Sequence, residues 1–240
     1  MDIPTCDSSV SAFDGIRTVS PALERYTTDV LLGDLWKRPQ LSPRDRSIVT
    51  LSVLIARNQS AELPYYVDLA LDSGLEPGEI SELITHLAFY SGWANALAAV
   101  KATNPVFERR AIAATQLAPA SVDLLPIDAA AVSQLQTAAQ NFGAVAPGLV
   151  QFSTEVLFGN LWLRPGLAPR DRSLATLSTV VATGQFPQLA SYISRAMDNG
   201  LTRAQMAEVM TQLAFYSGWS SAFTALPIVK DVFEKRPRQS

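Results

Sequence analysis

The sequence predicts an all-α protein built from two tandem copies of one multi-helix unit, packed as one pseudo-twofold domain. Three observations predict it. First, LLGDLWKRPQLSPRDRSIVTLS, beginning at Leu31, returns as LFGNLWLRPGLAPRDRSLATLS, beginning at Leu157, and HLAFYSGW (His86 to Trp93) returns as QLAFYSGW (Gln212 to Trp219). Second, the register between copies never slips: Trp36 answers Trp162, Gln59 answers Gln185, Tyr66 answers Tyr192, Gly74 answers Gly200 and Phe107 answers Phe233. A gapless duplication of about 80 residues, roughly half of them identical, marks a repeated structural unit. Third, the segments inside each copy carry helix caps and helical spacing, and nothing resembles a hairpin or a βαβ unit.

The elements follow in order. Residues 1 to about 20 read as loose. A helix is expected over Ala22 to Trp36, ending before the Arg38-Pro39 turn. The next starts at Ser42-Pro43, with a hydroxyl N-cap, proline in the first turn and Asp45 near the positive helix end, and runs to about Arg57. Its apolar stretch, Ile48 to Ala56, could be read as a buried strand, but its length and cap favour a buried helix. A third helix spans about Ser60 to Ser73 and stops at Gly74, suited to a left-handed C-terminal cap. The fourth, about Pro77 to Tyr90, places Ile80, Leu83, Ile84, Leu87 and Ala88 on one face. Thr202 and Gln205 make a capping-box pattern at the same place in the second copy. Gly92 breaks the run before a fifth helix from Trp93 to about Arg110. The first unit is assigned to 21–113, a linker to 114–128 and the second unit to 129–236, which opens with helices near 129–142 and 147–161.

Composition excludes several classes. With 240 residues, 48% of them hydrophobic and 17% charged, the chain is expected to be globular. A net charge of −3 without a basic cluster argues against a nucleic-acid partner. No apolar run approaches the roughly 20 residues of a membrane helix, and the N-terminus lacks a secretory pattern, so a cytoplasmic protein is expected. Cys6 is the one cysteine, and one thiol forms neither an intrachain disulfide nor a Cys-only metal cluster. With one histidine and no Gly-rich phosphate loop, neither a metal nor a nucleotide cofactor is indicated.

At RPxLxPRDRS, at the Asp-Asn-Gly ending at Gly200, and at THLAFYSGW the chain resembles the carboxymuconolactone decarboxylase family, which includes the alkylhydroperoxidase-D-like proteins. The resemblance covers both repeats. It implies an all-helical fold, a homo-oligomer (a trimer for a tandem chain), a small-molecule substrate and no cofactor. The peroxidase branch uses Cys-x-x-Cys followed four residues later by His. Here those positions hold Gln59, Glu62 and Tyr66, and Gln185, Gln188 and Tyr192, so thiol peroxidase chemistry has no thiol to work with. The decarboxylase branch places a His where Tyr66 and Tyr192 stand. A phenol with a reference pKa near 10 mainly donates hydrogen bonds.

Within that resemblance Glu62, Tyr66, His86 and Tyr192 are the candidate catalytic residues. Glu62 and Tyr66 lie four apart on one helix face, and the only histidine, His86, answers Gln212, as Glu62 answers Gln188. Both ionisable groups thus fall in the first copy, which suggests one working site around it, the second copy being structural or supplying Tyr192 across an interface. The candidate substrate-binding residues are Arg46, Ser47, Gln59, Trp93, Arg172, Gln185 and Gln188. Each has a plainer reading: the tyrosines as packing residues, His86 as a satisfied structural histidine, the arginines as ion pairs at helix starts, and Trp93 with Trp219 as core or subunit contacts. The expected function is a cofactor-independent lyase working by proton transfer on a small carboxylate, lactone or enol. The alternatives are isomerisation, dehydration or cyclisation in a specialised pathway, or a non-catalytic small-molecule-binding oligomer.

Overall fold

The computed structural model describes residues 13, 15–127 and 129–236, so the expected looseness of residues 1–12 and the setting of Cys6 lie outside the described residues. Among these residues every regular element is helical. The helices are α1 (Ile16–Val19), α2 (Pro21–Tyr26), α3 (Pro43–Ala56), α4 (Leu63–Asp72), α5 (Pro77–Ser91), α6 (Trp93–Arg109), α7 (Ala129–Phe142), α8 (Pro147–Phe152), α9 (Pro169–Ala182), α10 (Leu189–Asp198), α11 (Arg203–Ser217) and α12 (Trp219–Lys235).

The single helix expected over Ala22 to Trp36 is corrected. After α2 the chain widens into a π-turn, Thr27–Leu32, and then tightens into a 3₁₀ turn, Leu35–Lys37. The second copy does the same after α8, with Ser153–Phe158 and Leu161–Leu163, which corrects the helix expected near 147–161. Glycine is required at the exit of each π-turn: a Cβ on Gly33 would press into the Asp29 carbonyl, and one on Gly159 into the Thr154 carbonyl. Within the segment expected to be loose, Ile16–Val19 is already helical.

α3 begins as its sequence dictates, the Ser42 hydroxyl accepting the Asp45 N–H at 3.1 Å, and α9 starts on Ala168 without that bond. Every residue of α3 from Asp45 to Ala56 is buried, which explains an apolar stretch with no polar face. α4 starts at Leu63 rather than near Ser60, because Pro64 belongs in a first turn and residues 60–62 form the turn before it. Gly92 and Gly218 separate α5 from α6 and α11 from α12 at φ 93°, ψ 151° and φ 96°, ψ 148°, backbone open in practice to glycine alone.

The two copies interlock. α3 and α9 lie side by side at the centre; α5 of the first copy packs on α9 of the second, and α11 of the second packs on α3 of the first. The PRDRS motifs join reciprocally: Arg44 donates to Asp171 at 2.8 Å, and Arg170 donates to Asp45 at 2.6 Å. That is the self-complementary pattern of a twofold interface, here inside one chain. On the outside, Trp93, Leu97 and Val100 of α6 form an exposed apolar row, matched by Trp219, Phe223 and Leu226 of α12. Among the described residues no helix is long and apolar enough to cross a membrane.

Candidate active site

The interlock assigns partners that the repeats alone leave open. Around Tyr66, on α4, the neighbours from the second copy are Glu208, Gln212 and Tyr216, all on α11. The Arg46 guanidinium is fully buried and donates to Glu208 at 2.8 Å and to the Gln212 amide oxygen at 2.9 Å; Gln212 donates to the Thr50 hydroxyl at 3.1 Å. Thr50 bonds to the Tyr216 hydroxyl, which also accepts the Trp36 indole N–H at 2.8 Å and donates to Tyr66 at 3.2 Å. Burial raises the Tyr66 phenol, with Tyr216 adding to the effect, and pushes Tyr216 up to about 12. Tyr66 is only 6% exposed. Tyr65 packs edge-on against it at 5.0 Å, and Phe13 packs against Tyr65 at 5.1 Å.

Around Tyr192, on α10, the same frame returns with the copies exchanged. Arg172, fully buried, donates to Glu82 at 2.6 Å and lies 3.5 Å from Nδ1 of His86. A guanidinium only donates, so Nδ1 is the accepting nitrogen and the proton sits on Nε2, which donates to the Thr176 hydroxyl at 2.7 Å. Thr176 bonds to the Tyr90 hydroxyl, which also accepts the Trp162 indole N–H at 2.8 Å. Complete burial pushes His86 well below its ordinary value, and the Arg172 charge pushes the same way. His86 is therefore neutral at physiological pH. Burial also raises Tyr90 and Tyr192, against an opposing pull from the Arg195 charge, so both phenols stay protonated.

This second cluster borders an open cleft of about 870 Å³. Tyr192, Gln188, Ser191 and Arg195 line one wall, Phe158 and Trp162 another, and Leu125, Pro126 and Ile127 of the linker complete the rim. The Arg195 guanidinium lies over the Phe158 ring at 5.0 Å and the Trp162 ring at 5.1 Å. Among the described residues of the rim, Arg236 pairs with Asp198 and Lys235 with Asp231.

The structure separates several residues expected to act together. His86 does not join Glu62 and Tyr66; it lies against Tyr90 and Trp162, ring centroids 4.9 and 5.2 Å away, in the cluster that holds Tyr192. A site built around the first copy is corrected accordingly, since each cluster draws on both copies. Glu62 is an exposed residue at the start of α4. Arg46 and Arg172 are sealed in ion pairs with Glu208 and Glu82 and cannot meet a substrate. Ser47 turns back to the Pro43 carbonyl at 3.0 Å, a bond within its own helix. Gln59 is exposed in the turn after α3, and Gln185 is exposed and donates to Thr183. Trp93 stands 60% exposed on the outer face of α6, against Phe89 rather than in the cleft. Gln188 does line the cleft, accepting from the Tyr192 hydroxyl at 3.3 Å.

Sequence reasoning passed over Tyr90, Tyr216, Trp36, Trp162, Thr50, Thr176 and Arg195. A signal existed for most of them: AFYSGW and LW-x-RP are unchanged between copies, so the tyrosine and tryptophan they carry stand in both clusters. Arg195 has no such signal, because its counterpart is Leu69.

An all-helical tandem fold whose two halves complete each other's buried polar clusters is the class of protein observed. The chain belongs to the carboxymuconolactone decarboxylase family, whose model matches it twice, over residues 21–105 and 147–231. It is 35% identical over 83 residues to the 4-carboxymuconolactone decarboxylase of Acinetobacter baylyi, covering 35% of this chain and 62% of that protein. It is 31% identical over 77 residues to the nitrosuccinic acid decarboxylase of Metarhizium robertsii, covering 32% of this chain and 54% of that one. The matches therefore span about half to three-fifths of these relatives.

Proposed function

We propose that the chain is a cofactor-independent decarboxylase-like lyase acting on a small carboxylic acid in the Tyr192 cleft. The observation that carries this reading is the chemistry of the cleft wall: a cation, Arg195, beside a protonated phenol that burial raises above its ordinary value. Loss of CO₂ breaks a C–C bond and leaves its electron pair on the rest of the substrate, which then needs a proton. The Tyr192 hydroxyl supplies it, the C–H bond forms, and the phenol regains its proton from solvent. Isomerisation, dehydration or cyclisation by proton abstraction would need a base, and among the described rim residues the acids Asp198 and Asp231 each pair with a cation. Tyr90 and Trp162 form the packing behind Tyr192. His86, fully enclosed, is a positioning residue that orients Thr176 and through it Tyr90.

The test is CO₂ release from a panel of activated dicarboxylic acids, beginning with 4-carboxymuconolactone and nitrosuccinate, the acids named for the two relatives. Release from at least one, slowed about a hundredfold or more in Tyr192→Phe, is expected. A Tyr192→Phe enzyme as fast as the parent would end the proposal. We also propose that chains associate into a homo-oligomer, a trimer, through the matched apolar rows of α6 and α12, since contiguous exposed apolar surface marks association sites. Sedimentation of Trp93→Ser/Trp219→Ser should shift toward the monomer; an unchanged coefficient would argue against these rows as the contact.

A further inference from the structure

We propose that the segment joining the two halves, residues 114–127, is a fixed wall of the Tyr192 cleft, and that its Leu125 and Ile127 select an acid with an apolar flank. That the acid so selected is the one decarboxylated rests on the lyase reading above; the wall itself does not.

A segment that only tethers two units needs length and little else. This one is seated along a track. Arg164, while paired with Glu82, also donates to the Pro119 and Ala120 carbonyls, each at 2.8 Å. A Cβ on Gly78 would stand 3.1 Å from the Gln116 carbonyl oxygen. One on Gly166 would press on the Glu82 side chain and stand 3.1 Å from the Ala118 Cβ. Beyond these points the Leu125 N–H donates to the Leu163 carbonyl at 2.7 Å. The equivalent positions of the other half are built differently. Arg38 answers Arg164 and donates to Glu208, its side chain 41% exposed against 12% for Arg164. Gln40 answers Gly166 and Ala204 answers Gly78; both are exposed and carry side chains. In each pair the glycine stands where the segment passes.

The seating delivers Leu125, Pro126 and Ile127 to the rim of the cleft, with Leu125 and Ile127 part-exposed there. Together with Phe158 and Trp162 they make those sides of the cleft apolar, whereas Tyr192, Gln188 and Ser191 make one wall polar. A ligand that matches both faces turns its acid group to the polar wall and lays an alkyl or aryl group against the segment. One segment joins the halves, so this wall belongs to one of the two tyrosine clusters.

The experiment is calorimetric titration of the full chain with succinate and with phenylsuccinate, two acids that differ by one apolar group. Phenylsuccinate should bind at least tenfold more tightly, as burial of part of a ring does. Leu125→Ser/Ile127→Ser should cut that preference to threefold or less, with thermal unfolding as the check that the variant folds. Gly78→Leu, which places a side chain on the track without altering the cleft, should also weaken the preference. It should in addition speed thermolysin cleavage within 114–127, mapped by mass spectrometry. Equal binding of the two acids to the parent, no binding of either, or a preference untouched in Leu125→Ser/Ile127→Ser would overturn the proposal. Preferential phenylsuccinate binding without CO₂ release from the acid panel would leave the wall standing and remove the lyase reading. CO₂ release with equal binding of the two acids would do the reverse.

Discussion

Tyr66 and Tyr192 occupy the same turn of the same helix in the two halves, and behind them the surroundings are nearly superimposable in chemistry. Each faces a tyrosine that accepts an indole N–H, each of those tyrosines is bonded to a threonine, and each threonine is tied to a buried arginine–glutamate pair through one intermediary side chain. The intermediary is Gln212 in one half and His86 in the other, and both make the same two connections. In front of the phenols the likeness ends. One half is packed shut by Tyr65 and Phe13; the other opens on a cleft with a cation in its wall. The difference teaches that the buried frame is what the fold needs and the surface in front of it is where the halves have parted.

The frame should fail alike in both halves. Glu82→Gln leaves Arg172 charged and unpaired in the interior, and Glu208→Gln does the same to Arg46; each should cost about 3–5 kcal/mol in denaturant unfolding. A pair of values differing by more than about 1 kcal/mol would break this symmetry. The front should respond in one half only: Tyr192→Phe should lower kcat about a hundredfold, near 2.7 kcal/mol of barrier, while Tyr66→Phe should stay within about twofold. Equal losses would mean that both halves work.

The intermediary offers a third comparison through pH. The imidazole of the unfolded chain takes up a proton near 6.5, whereas the buried one resists it, so the unfolded state binds more protons as the pH falls. Stability should therefore be intact above about pH 6.5 and decline below it, by up to about 1.4 kcal/mol per pH unit until the folded-state value is reached. His86→Gln copies the amide already used in the other half and removes this decline. Unfolding free energies of the two proteins at pH 7.5 and 5.5 should diverge by about that much at the lower pH; parallel values would show that His86 is not held neutral. The smallest effect concerns the helix starts: Thr202→Ala removes a side chain that caps Gln205 and should cost about 1 kcal/mol by thermal unfolding.

Much of the fold was legible because its signals are local. The Ser42-Pro43 start, the Thr202 box and the breaks at Gly92 and Gly218 depend on neighbours in sequence, and duplication repeats them. The π-turns were not legible: the crowding at Gly33 arises from carbonyls of the preceding turn and leaves no periodicity to read. The partnership of His86 was not legible either. Two similar repeats present similar faces, and α5 packs on both α3 and α9, so nothing local says whether His86 meets Thr50 of its own copy or Thr176 of the other. That choice is made by contacts between residues more than 80 positions apart, such as Arg164 with Glu82. Arg195 escaped notice for a different reason. Comparison of the copies draws attention to what they share, and the arginine stacked on the cleft wall is one they do not.

The crossing of α5 and α11 between halves has a consequence for inheritance. A free-standing first half pairing with a twin of itself would set His86 opposite Tyr66, and a free-standing second half would set Gln212 opposite Tyr192. Joining them by a linker forbids both matches and enforces the two mixed ones. Fusion thus made one gene the owner of two non-identical chambers, so that one could be sealed by mutation while its twin kept its door.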